Sequence, residues 1–293
     1  CNNICAFCVS GQFTQEGVAR PLSFDLVYEA MRKGREQGAR EITFLGGEPT
    51  IQDNFFESLE AAFSLGYSRV ILFTNLARGN DPKFMERVTA LGPCHWRVSI
   101  QGGDEKTHDH VVARPGAYDR ILKGLQWLTE RNQSISLNVC VTSENVHSIQ
   151  GLYKFIQQYS IEQMHIDMVR PASIGMRTQE YIDAQLPDYE QVASELRRLL
   201  DRVEKEKPHF ELNIGNFPYC LLPKHAHKIT YGGQDTVTVT DKGNGTFGRV
   251  FDKYAYQNEG KSFVDECGQC VFQGTCHGLP FEQLNLYGSE YLR

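Results

Sequence analysis

The chain has 293 residues, of which 41% are hydrophobic and 23% charged, and its formal net charge is −6. This is the composition of a globular protein with enough apolar residues for one large core and a smaller second unit. The negative charge argues against a broad nucleic-acid-binding surface, and no apolar run is long enough to cross a membrane. We therefore expect neither nucleic acid nor a membrane as a partner.

Most of the nine cysteines lie in two tight clusters of a large chain, whereas a disulfide framework is typical of small secreted domains. This pattern favours metal binding in a reducing compartment, and we expect the cytoplasm. Cys94 and Cys140 stand outside the clusters, and we interpret both as small core residues.

The first eight residues, CNNICAFC, carry three thiols separated by three and then two residues. Three thiolates on one loop indicate a metal site, and this spacing fits three corners of a cubane iron–sulfur cluster. The fourth iron would stay open for another ligand. A structural zinc loop is the alternative interpretation.

Segments with helical periodicity alternate with short apolar strands through the middle of the chain. Such alternation predicts right-handed crossovers and one parallel sheet, with functional loops gathered at the carboxyl ends of the strands. Five strands follow the cysteine loop, and we expect a further strand upstream of residue 1. The predicted helices cover residues 24–38, 54–65, 82–91, 117–131 and 146–159, and the predicted strands cover 42–45, 69–73, 95–100, 135–142 and 164–169.

Polar residues follow several of these strands. The first strand runs into Gly46-Gly47-Glu48-Pro49-Thr50, in which two glycines let the backbone approach a ligand and a carboxylate can hold an ammonium group. A plain strand-to-helix turn is the alternative. Other polar side chains lie at or near the ends of the later strands: Thr74, Asn75, Ser99, Gln101, Asn138 and Arg170.

The Cys-x3-Cys-x2-Cys loop, with Phe7 just before its third cysteine, and the GGEP sequence together resemble the radical S-adenosylmethionine (radical SAM) enzymes. The resemblance implies a partial (β/α)6 barrel in which Cys1, Cys5 and Cys8 hold a [4Fe-4S] cluster that binds SAM. Reductive cleavage of SAM would give a 5′-deoxyadenosyl radical, which takes a hydrogen atom from the substrate. The SAM contacts that the resemblance implies are Phe7, Gly46, Gly47, Glu48, Asn75, Ser99, Asn138 and Arg170. Related enzymes often carry Asp at the position of Gln101, so no carboxylate role is assigned there.

A second unit follows a charged predicted helix over residues 188–206, which Lys207-Pro208 ends. We expect a core over residues 1–207 and a smaller unit over 208–293, in which 210–214, 235–240 and 245–251 alternate like antiparallel strands. The smaller unit carries four thiols, which could close a tetrahedral zinc site or ligate a second cubane: Cys220, Cys267, Cys270 and Cys276. His277 could replace one ligand, whereas His225 and His227 are interpreted as surface or hydrogen-bonding residues.

The Cys-x2-Cys-x5-Cys run resembles the auxiliary-cluster extensions called SPASM and twitch domains, and the number of cysteines favours the shorter twitch type. The resemblance implies an auxiliary [4Fe-4S] cluster that relays an electron or has a structural role. If Cys220 is not a ligand, it could instead donate a hydrogen atom to a substrate radical.

The resemblance favours modification of a ribosomally made peptide by cross-linking, thioether formation, oxidation or epimerisation. Dehydrogenation or another modification of a small metabolite, such as a sugar alcohol, is the alternative. The electron donor would be a flavodoxin or a ferredoxin. A hypothesis of another class is an iron–sulfur electron carrier or a zinc-organised binding module, but neither requires GGEP or a barrel.

Overall fold

A computed structural model describes residues 1–18, 20–171, 174, 177–230, 237–238, 251–252 and 260–292. Its main feature is a seven-stranded sheet in which every pair of neighbours is parallel and the strands follow chain order. This succession requires a crossover after each strand, and most crossovers contain a helix. The strands are β1 (Glu41–Phe44), β2 (Arg69–Thr74), β3 (Cys94–Ser99), β4 (Ser134–Val141), β5 (Gln163–Met168), β6 (Glu211–Gly215) and β7 (Ile229–Thr230).

The longer helices among the described residues are amphipathic, and several helices begin with a capping side chain. Ser23, Asp81, Asp104, Thr178 and Asp188 each accept a backbone N–H of the first turn, which satisfies a donor that the helix itself cannot. The α-helices are α1 (Val9–Gln15), α2 (Phe24–Glu36), α3 (Phe55–Ser64), α4 (Pro82–Leu91), α5 (Glu105–Val111), α6 (Ala117–Glu130), α7 (Tyr153–Gln158), α8 (Gln179–Gln185), α9 (Tyr189–Glu206) and α10 (Phe281–Tyr287).

The main core lies between one face of the sheet and the helices. In β4 the side chains of Ile135, Leu137 and Val139 are buried in this core, whereas Asn138 and Cys140 alternate with them and are partly exposed on the other face. This alternation follows from the two-residue period of a strand. The sheet therefore has an apolar face toward the helices and a more polar face on its other side.

The five strands predicted after the cysteine loop are all present, and the expected partial barrel is confirmed. The expectation for residues 210–214 was wrong in one respect, because β6 pairs in parallel with β5 and does not belong to an antiparallel unit. Leu212 and Ile214 explain this, since both are fully buried in the core of the large sheet. The parallel sheet thus continues beyond residue 207.

One other segment differs from its predicted form, whereas two later segments agree with theirs. Residues Val146–Leu152 form a 3₁₀ helix, and only Tyr153–Gln158 are α-helical, where one helix over 146–159 was expected. Val237–Thr238 (β8) and Phe251–Asp252 (β9) pair as antiparallel strands, as the patterns at 235–240 and 245–251 predict. The remaining residues of those two predicted strands lie outside the described residues.

The C-terminal residues pack onto the rest of the fold, and Leu279 and Leu292 are buried in the main core. Lys261–Ser262 (β10) and Leu279–Pro280 (β11) form an antiparallel pair that brackets Cys267, Cys270 and Cys276. Helix α10 then contacts the chain just before α9, where Gln283 Nε2 donates to Pro187 O at 3.1 Å and Tyr287 Oη donates to Leu186 O at 3.0 Å. No helix within the described ranges is both long and apolar enough to span a membrane.

Candidate active site

The three N-terminal cysteines lie on a loop that folds back onto the first turn of α1. Cys8 N donates to Cys5 O at 3.2 Å, and Gly11 N donates to Cys8 O at 3.1 Å. A Cβ atom at Gly11 would lie 3.0 Å from both the N and the O atom of Cys5, so this close approach depends on glycine. Burial, followed by the charge of Cys8, raises the pKa of the Cys5 thiol to about 12.

Backbone and side-chain contacts hold this loop from outside. Ile4 N and Ala6 N donate to the carbonyl groups of Val112 and Val111, at 3.1 and 3.4 Å, where α5 ends. On the other side, the Ala6 carbonyl oxygen accepts from Arg177 Nη1 at 2.8 Å and from Tyr181 Oη at 3.2 Å. The loop is thus fixed by two elements that are distant from it in sequence.

The GGEP segment lies directly against the cysteine loop. A Cβ atom at Gly47 would lie 2.9 Å from Cys1 N and 3.2 Å from Cys1 Cβ, which leaves no room for a side chain. Ser10 Oγ donates to Gly46 O at 3.4 Å. The sequence predicted that GGEP and the cysteine loop act together, and the structure brings them into contact.

Glu48 is only 1% exposed, and its carboxylate accepts four hydrogen bonds from the protein. Thr50 N, Thr50 Oγ1 and Thr74 Oγ1 donate to Oε1 at 3.1, 2.6 and 2.6 Å, and Asn75 N donates to Oε2 at 2.7 Å. Burial raises the pKa of Glu48, and these hydrogen bonds oppose the rise. The carboxylate therefore joins the end of β1 to the end of β2.

Asn75 connects this arrangement to the cysteine loop. Its Nδ2 donates to Asn2 Oδ1 at 3.0 Å and lies 3.9 Å from Cys1 Sγ. Its Oδ1 is buried, and none of the described residues donates a hydrogen bond to it. A buried acceptor of this kind is costly unless something donates to it, so Asn75 is suited to contact a ligand at this position.

The predicted polar residues of β3 and β4 lie on neighbouring strands. Ser99 and Asn138 are opposite each other in the sheet register. Gln101 is 2% exposed, donates through Nε2 to Ser99 Oγ at 2.8 Å, and accepts from Cys140 N at 2.9 Å. The buried Gln101 side chain therefore joins the end of β3 to the end of β4.

Cys140 does not belong to the main core, which corrects its interpretation as a core residue. It is partly exposed on the opposite face of the sheet and packs with Phe7 and Val169 in a separate small apolar cluster. Burial, and then the charges of Asp167, Cys8 and Cys5, raise the pKa of its thiol, while Arg170 lowers it. Cys140 and Arg170 are thus close to each other, and Cys140 is close to the cysteine loop. Cys94, in contrast, is buried in the main core as expected.

One polar group on this face was not predicted. His165 Nε2 lies 3.0 Å from Asp167 Oδ2, and Asn216 Nδ2 donates to Asp167 Oδ1 at 3.1 Å. Gly215 lies beneath them, because a Cβ atom there would be 1.9 Å from Asp167 Oδ1. The alternation of His and Asp with apolar residues in β5 could have indicated this group, since alternate residues share one face.

The C-terminal cysteines converge from two segments. Burial, and then the charges of Cys276, Cys270 and Cys267, raise the pKa of Cys220 to about 11. The rings of Tyr219 and Phe272 stack at 5.2 Å between centroids, which joins the two segments.

Backbone N–H groups also point at the sulfur atoms of this group. Phe272 N lies 3.5 Å from Cys270 Sγ, and Gly278 N lies 3.4 Å from Cys276 Sγ. N–H donors facing thiolate sulfur suit an iron–sulfur cluster, so the four thiols and their surroundings fit such a group. His277 lies beside them, and burial followed by the charge of Lys261 lowers its pKa.

A third group contains His225, which is 1% exposed and lies between two carboxylates of α9. Its Nδ1 is 2.9 Å from Glu204 Oε1 and its Nε2 is 3.2 Å from Asp201 Oδ1. These atoms are close enough together to hold a metal ion, but Lys224 already pairs with Asp201. We interpret the group as an ion-paired contact that fastens the segment after Cys220 to α9. His225 is thus a hydrogen-bonding residue as expected, and His227 is exposed.

Comparison with known proteins relates this arrangement to one family. An AdoMet-dependent heme synthase of Methanosarcina barkeri is 27% identical over 192 residues, which are 66% of this chain and 53% of that protein. The structure of Streptococcus suis SuiB bound to its precursor peptide SuiA matches with a TM-score of 0.64 and 15% identity, over 97% of this chain and 70% of that one.

The structure of anSMEcpe with bound AdoMet and the Cp18Cys peptide matches with a TM-score of 0.65 and 13% identity, over 99% of this chain and 93% of that one. At such identities these two likenesses concern the fold, a curled half-barrel of parallel strands. The sequence model of the Radical SAM superfamily matches residues 1–156, which are more than half of the chain. The chain therefore belongs to the radical SAM superfamily.

Proposed function

We propose that Cys1, Cys5 and Cys8 hold the [4Fe-4S] cluster of this enzyme and that SAM binds beside it at the ends of β1 to β5. When bound, the cluster and SAM supply a 5′-deoxyadenosyl radical that takes a hydrogen atom from substrate. The contact between Gly47 and Cys1 supports this assignment, because it brings the two sequence motifs to one place.

The residues that we assign to the SAM site contribute to it in three ways in this proposal. In it, five residues border the site: Asn75, whose buried oxygen has no donor among the described residues, Ser99, Asn138, Arg170 and Phe7. Gly46 and Gly47 offer backbone groups at close approach. Glu48 shapes the site from within, since its four hydrogen bonds leave the carboxylate facing protein donors.

We further propose that Cys220, Cys267, Cys270 and Cys276 ligate an auxiliary [4Fe-4S] cluster of the twitch type, in the part of the chain that follows β6. Two observations support this assignment: the charges of the other three thiols act on Cys220, and backbone N–H groups are directed at Cys270 and Cys276. A fully ligated cluster would relay an electron and would leave substrate binding to the barrel.

The proposed substrate is a ribosomally made peptide. This proposal depends on one observation, the match over 97% and 99% of this chain to structures that contain bound peptides. The match includes the C-terminal region with the second group of cysteines. A small-molecule substrate is the second candidate, because the similarity to a heme synthase favours a non-peptide substrate for the same core.

The radical chemistry can be tested before the substrate is known. Anaerobically reconstituted protein, reduced with dithionite or with flavodoxin or ferredoxin, is expected to convert SAM into methionine and 5′-deoxyadenosine. A Cys1→Ala/Cys5→Ala/Cys8→Ala variant should release neither product. Wild-type protein with intact clusters that leaves SAM uncleaved, with and without candidate substrates, would count against the proposal.

The substrate class can be tested by mass spectrometry. Candidate precursor peptides and candidate metabolites are each incubated with the reduced enzyme and SAM. A mass change in a peptide, with one 5′-deoxyadenosine formed per modification, supports the peptide assignment. Turnover of a metabolite with all peptides unchanged favours the second candidate.

The role of Cys220 can be tested by iron content. Wild-type protein should hold about eight iron atoms per chain in two clusters. Cys220→Ala is expected to lower the auxiliary-cluster content, whereas Cys94→Ala, which changes a core thiol, should leave iron unchanged. Full occupancy in Cys220→Ala would contradict the ligand assignment and favour a hydrogen-donor role for this thiol.

A further inference from the structure

Ala6 lies between Cys5 and Cys8 in sequence. Its carbonyl oxygen accepts two hydrogen bonds, one from a charged side chain and one from a neutral side chain. Arg177 Nη1 donates at 2.8 Å, and Tyr181 Oη donates at 3.2 Å. The Arg177 guanidinium also lies over the Tyr181 ring, 4.5 Å from its centroid. One cation and one neutral hydroxyl therefore meet at the same atom of the cysteine loop.

The surroundings of Arg177 fix its position. It belongs to the connection between β5 and α9, and this connection contributes the buried residues Val169, Ile174 and Leu186 to a small apolar cluster. Phe7 of the cysteine loop and Tyr181 pack against the same cluster. Arg177 itself is partly buried, so water screens its charge less than that of an exposed arginine.

A fixed positive charge beside an iron–sulfur cluster has a defined electrostatic effect. Reduction adds one negative charge to the cluster, and a nearby cation stabilises the reduced form relative to the oxidised one. Arginine suits this task because its guanidinium stays protonated at any pH that the protein tolerates. A neutral hydrogen-bond donor at the same carbonyl would hold the loop without this effect.

We propose that Arg177 is a positioning residue that raises the reduction potential of the cluster held by Cys1, Cys5 and Cys8, and that Tyr181 holds the guanidinium in place. This inference rests on the proposed cluster assignment. It assigns a role in the reductive cleavage of SAM to Arg177, which lies outside both the cysteine loop and the GGEP segment.

The test is an EPR-monitored redox titration of reconstituted protein, with iron counted for every variant. Arg177→Gln is expected to lower the equilibrium constant for cluster reduction roughly tenfold, which is about 59 mV for a one-electron couple. Arg177→Lys, which keeps the charge, should stay close to the wild-type potential. Tyr181→Phe removes the neutral donor to the same oxygen atom and should shift the potential much less.

Arg114 provides a matched charge control. Its Nη1 donates to Asn2 O at 3.2 Å on the same loop, but the side chain is exposed. Arg114→Gln should therefore cause a smaller shift than Arg177→Gln. Equal shifts in these two variants, or in Arg177→Gln and Tyr181→Phe, would overturn the proposal and indicate a merely structural role.

A kinetic measurement distinguishes a lowered potential from a damaged loop. The SAM cleavage rate of Arg177→Gln should be low with dithionite and should recover with Ti(III) citrate, a stronger reductant; failure to recover overturns the proposal. If Arg177→Gln holds less iron than wild type, the redox titration of Arg177→Lys is the deciding measurement. A tenfold lower equilibrium constant for cluster reduction in Arg177→Lys would also overturn the proposal. Wild-type protein that forms no cluster at Cys1, Cys5 and Cys8 would instead contradict the proposed function itself.

Discussion

Glu48 shows how one buried side chain can organise a site although solvent does not reach it. Desolvation and hydrogen bonding act on it in opposite directions, and the four donors around its carboxylate explain how a charge can be placed there. Two of these donors are backbone N–H groups, of Thr50 and Asn75, which can only donate. The surroundings thus require an acceptor at both carboxylate oxygens.

Glu48→Gln tests this requirement at the scale of one residue. An amide group must place its Nε2 atom against at least one backbone N–H donor, so we expect a loss of about 1–3 kcal/mol in the free energy of unfolding. The affinity for SAM should fall as well, because Asn75 loses its anchor. Glu57→Gln, the same change at an exposed position of α3, is the control and should have little effect. Urea unfolding and SAM-binding titrations measure the two effects.

His108 gives a pH dependence with a defined sign. It is 1% exposed, accepts from Gln101 N at 2.9 Å through Nδ1, and burial lowers its pKa to about 4. Between about pH 6.5 and 4 the unfolded chain binds a proton that the folded chain does not, so stability is lost as the pH falls through this window. Lowering the pH from about 7.5 to 5 should remove about 2 kcal/mol of the unfolding free energy through this group.

His108→Asn is the control for this prediction. The Asn Oδ1 atom can accept from Gln101 N, but the side chain does not titrate in this range. The variant should be less stable at neutral pH because a ring is lost from a buried site, and its stability should fall less on acidification. Parallel pH profiles for both proteins, obtained from urea unfolding, would contradict the assignment.

At the scale of elements, a contact between two glycines sets how the loop after β3 meets the 3₁₀ helix Val146–Leu152. A Cβ atom at Gly103 would lie 2.5 Å from the Cα and C atoms of Gly151. Gly103 N also donates to Ser148 Oγ at 2.7 Å, in the same helix. This loop continues from Gln101, so its position affects the β3 and β4 ends of the site.

Gly103→Ala should therefore separate the loop from the helix. Because the added methyl group meets backbone that cannot rotate away, we expect a loss of roughly 2–3 kcal/mol in unfolding free energy. Gly34→Ala is the matched comparison, since its Cβ would meet the Tyr67 hydroxyl at 2.8 Å, which is the end of a side chain. It should cost less, partly because alanine favours helix α2. Equal losses in thermal or urea unfolding would show that backbone contact is not the deciding factor.

At the scale of the whole molecule, the large sheet extends into the region that the sequence assigns to the second unit. β6 lies beside β5 and carries two fully buried residues, Leu212 and Ile214, and β7 follows it. A chain that ends at residue 207 would leave β5 as an open edge, which favours aggregation. We expect this fragment to be largely insoluble, whereas a chain that ends at residue 230 keeps all seven strands and should be the more soluble of the two.

Expression of both fragments, with solubility and circular dichroism as measurements, checks this expectation. A soluble 1–207 fragment with native-like secondary structure would mean that β6 and β7 are dispensable for the sheet. It would also place the functional boundary where the helix at 188–206 ends.

The sequence alone determined the features that depend on local spacing. Three cysteines within eight residues, glycines followed by Glu48, and helix and strand periods between them are sufficient to predict the metal loop, the five strands and the superfamily. Each of these patterns lies within a short stretch of sequence, so it can be recognised without knowledge of the fold.

Only the tertiary structure decided which distant residues meet. The pairing of β6 with β5, the position of Cys140 near the cysteine loop, and the hydrogen bonds of Arg177 and Tyr181 to Ala6 join residues far apart in the chain. The hydrogen-bond donors around Glu48 could not be predicted from the sequence either, because two of the four lie at the end of the next strand, β2. The physical reason is that burial and hydrogen bonding are satisfied across the whole fold, whereas periodicity reports only the neighbours in sequence.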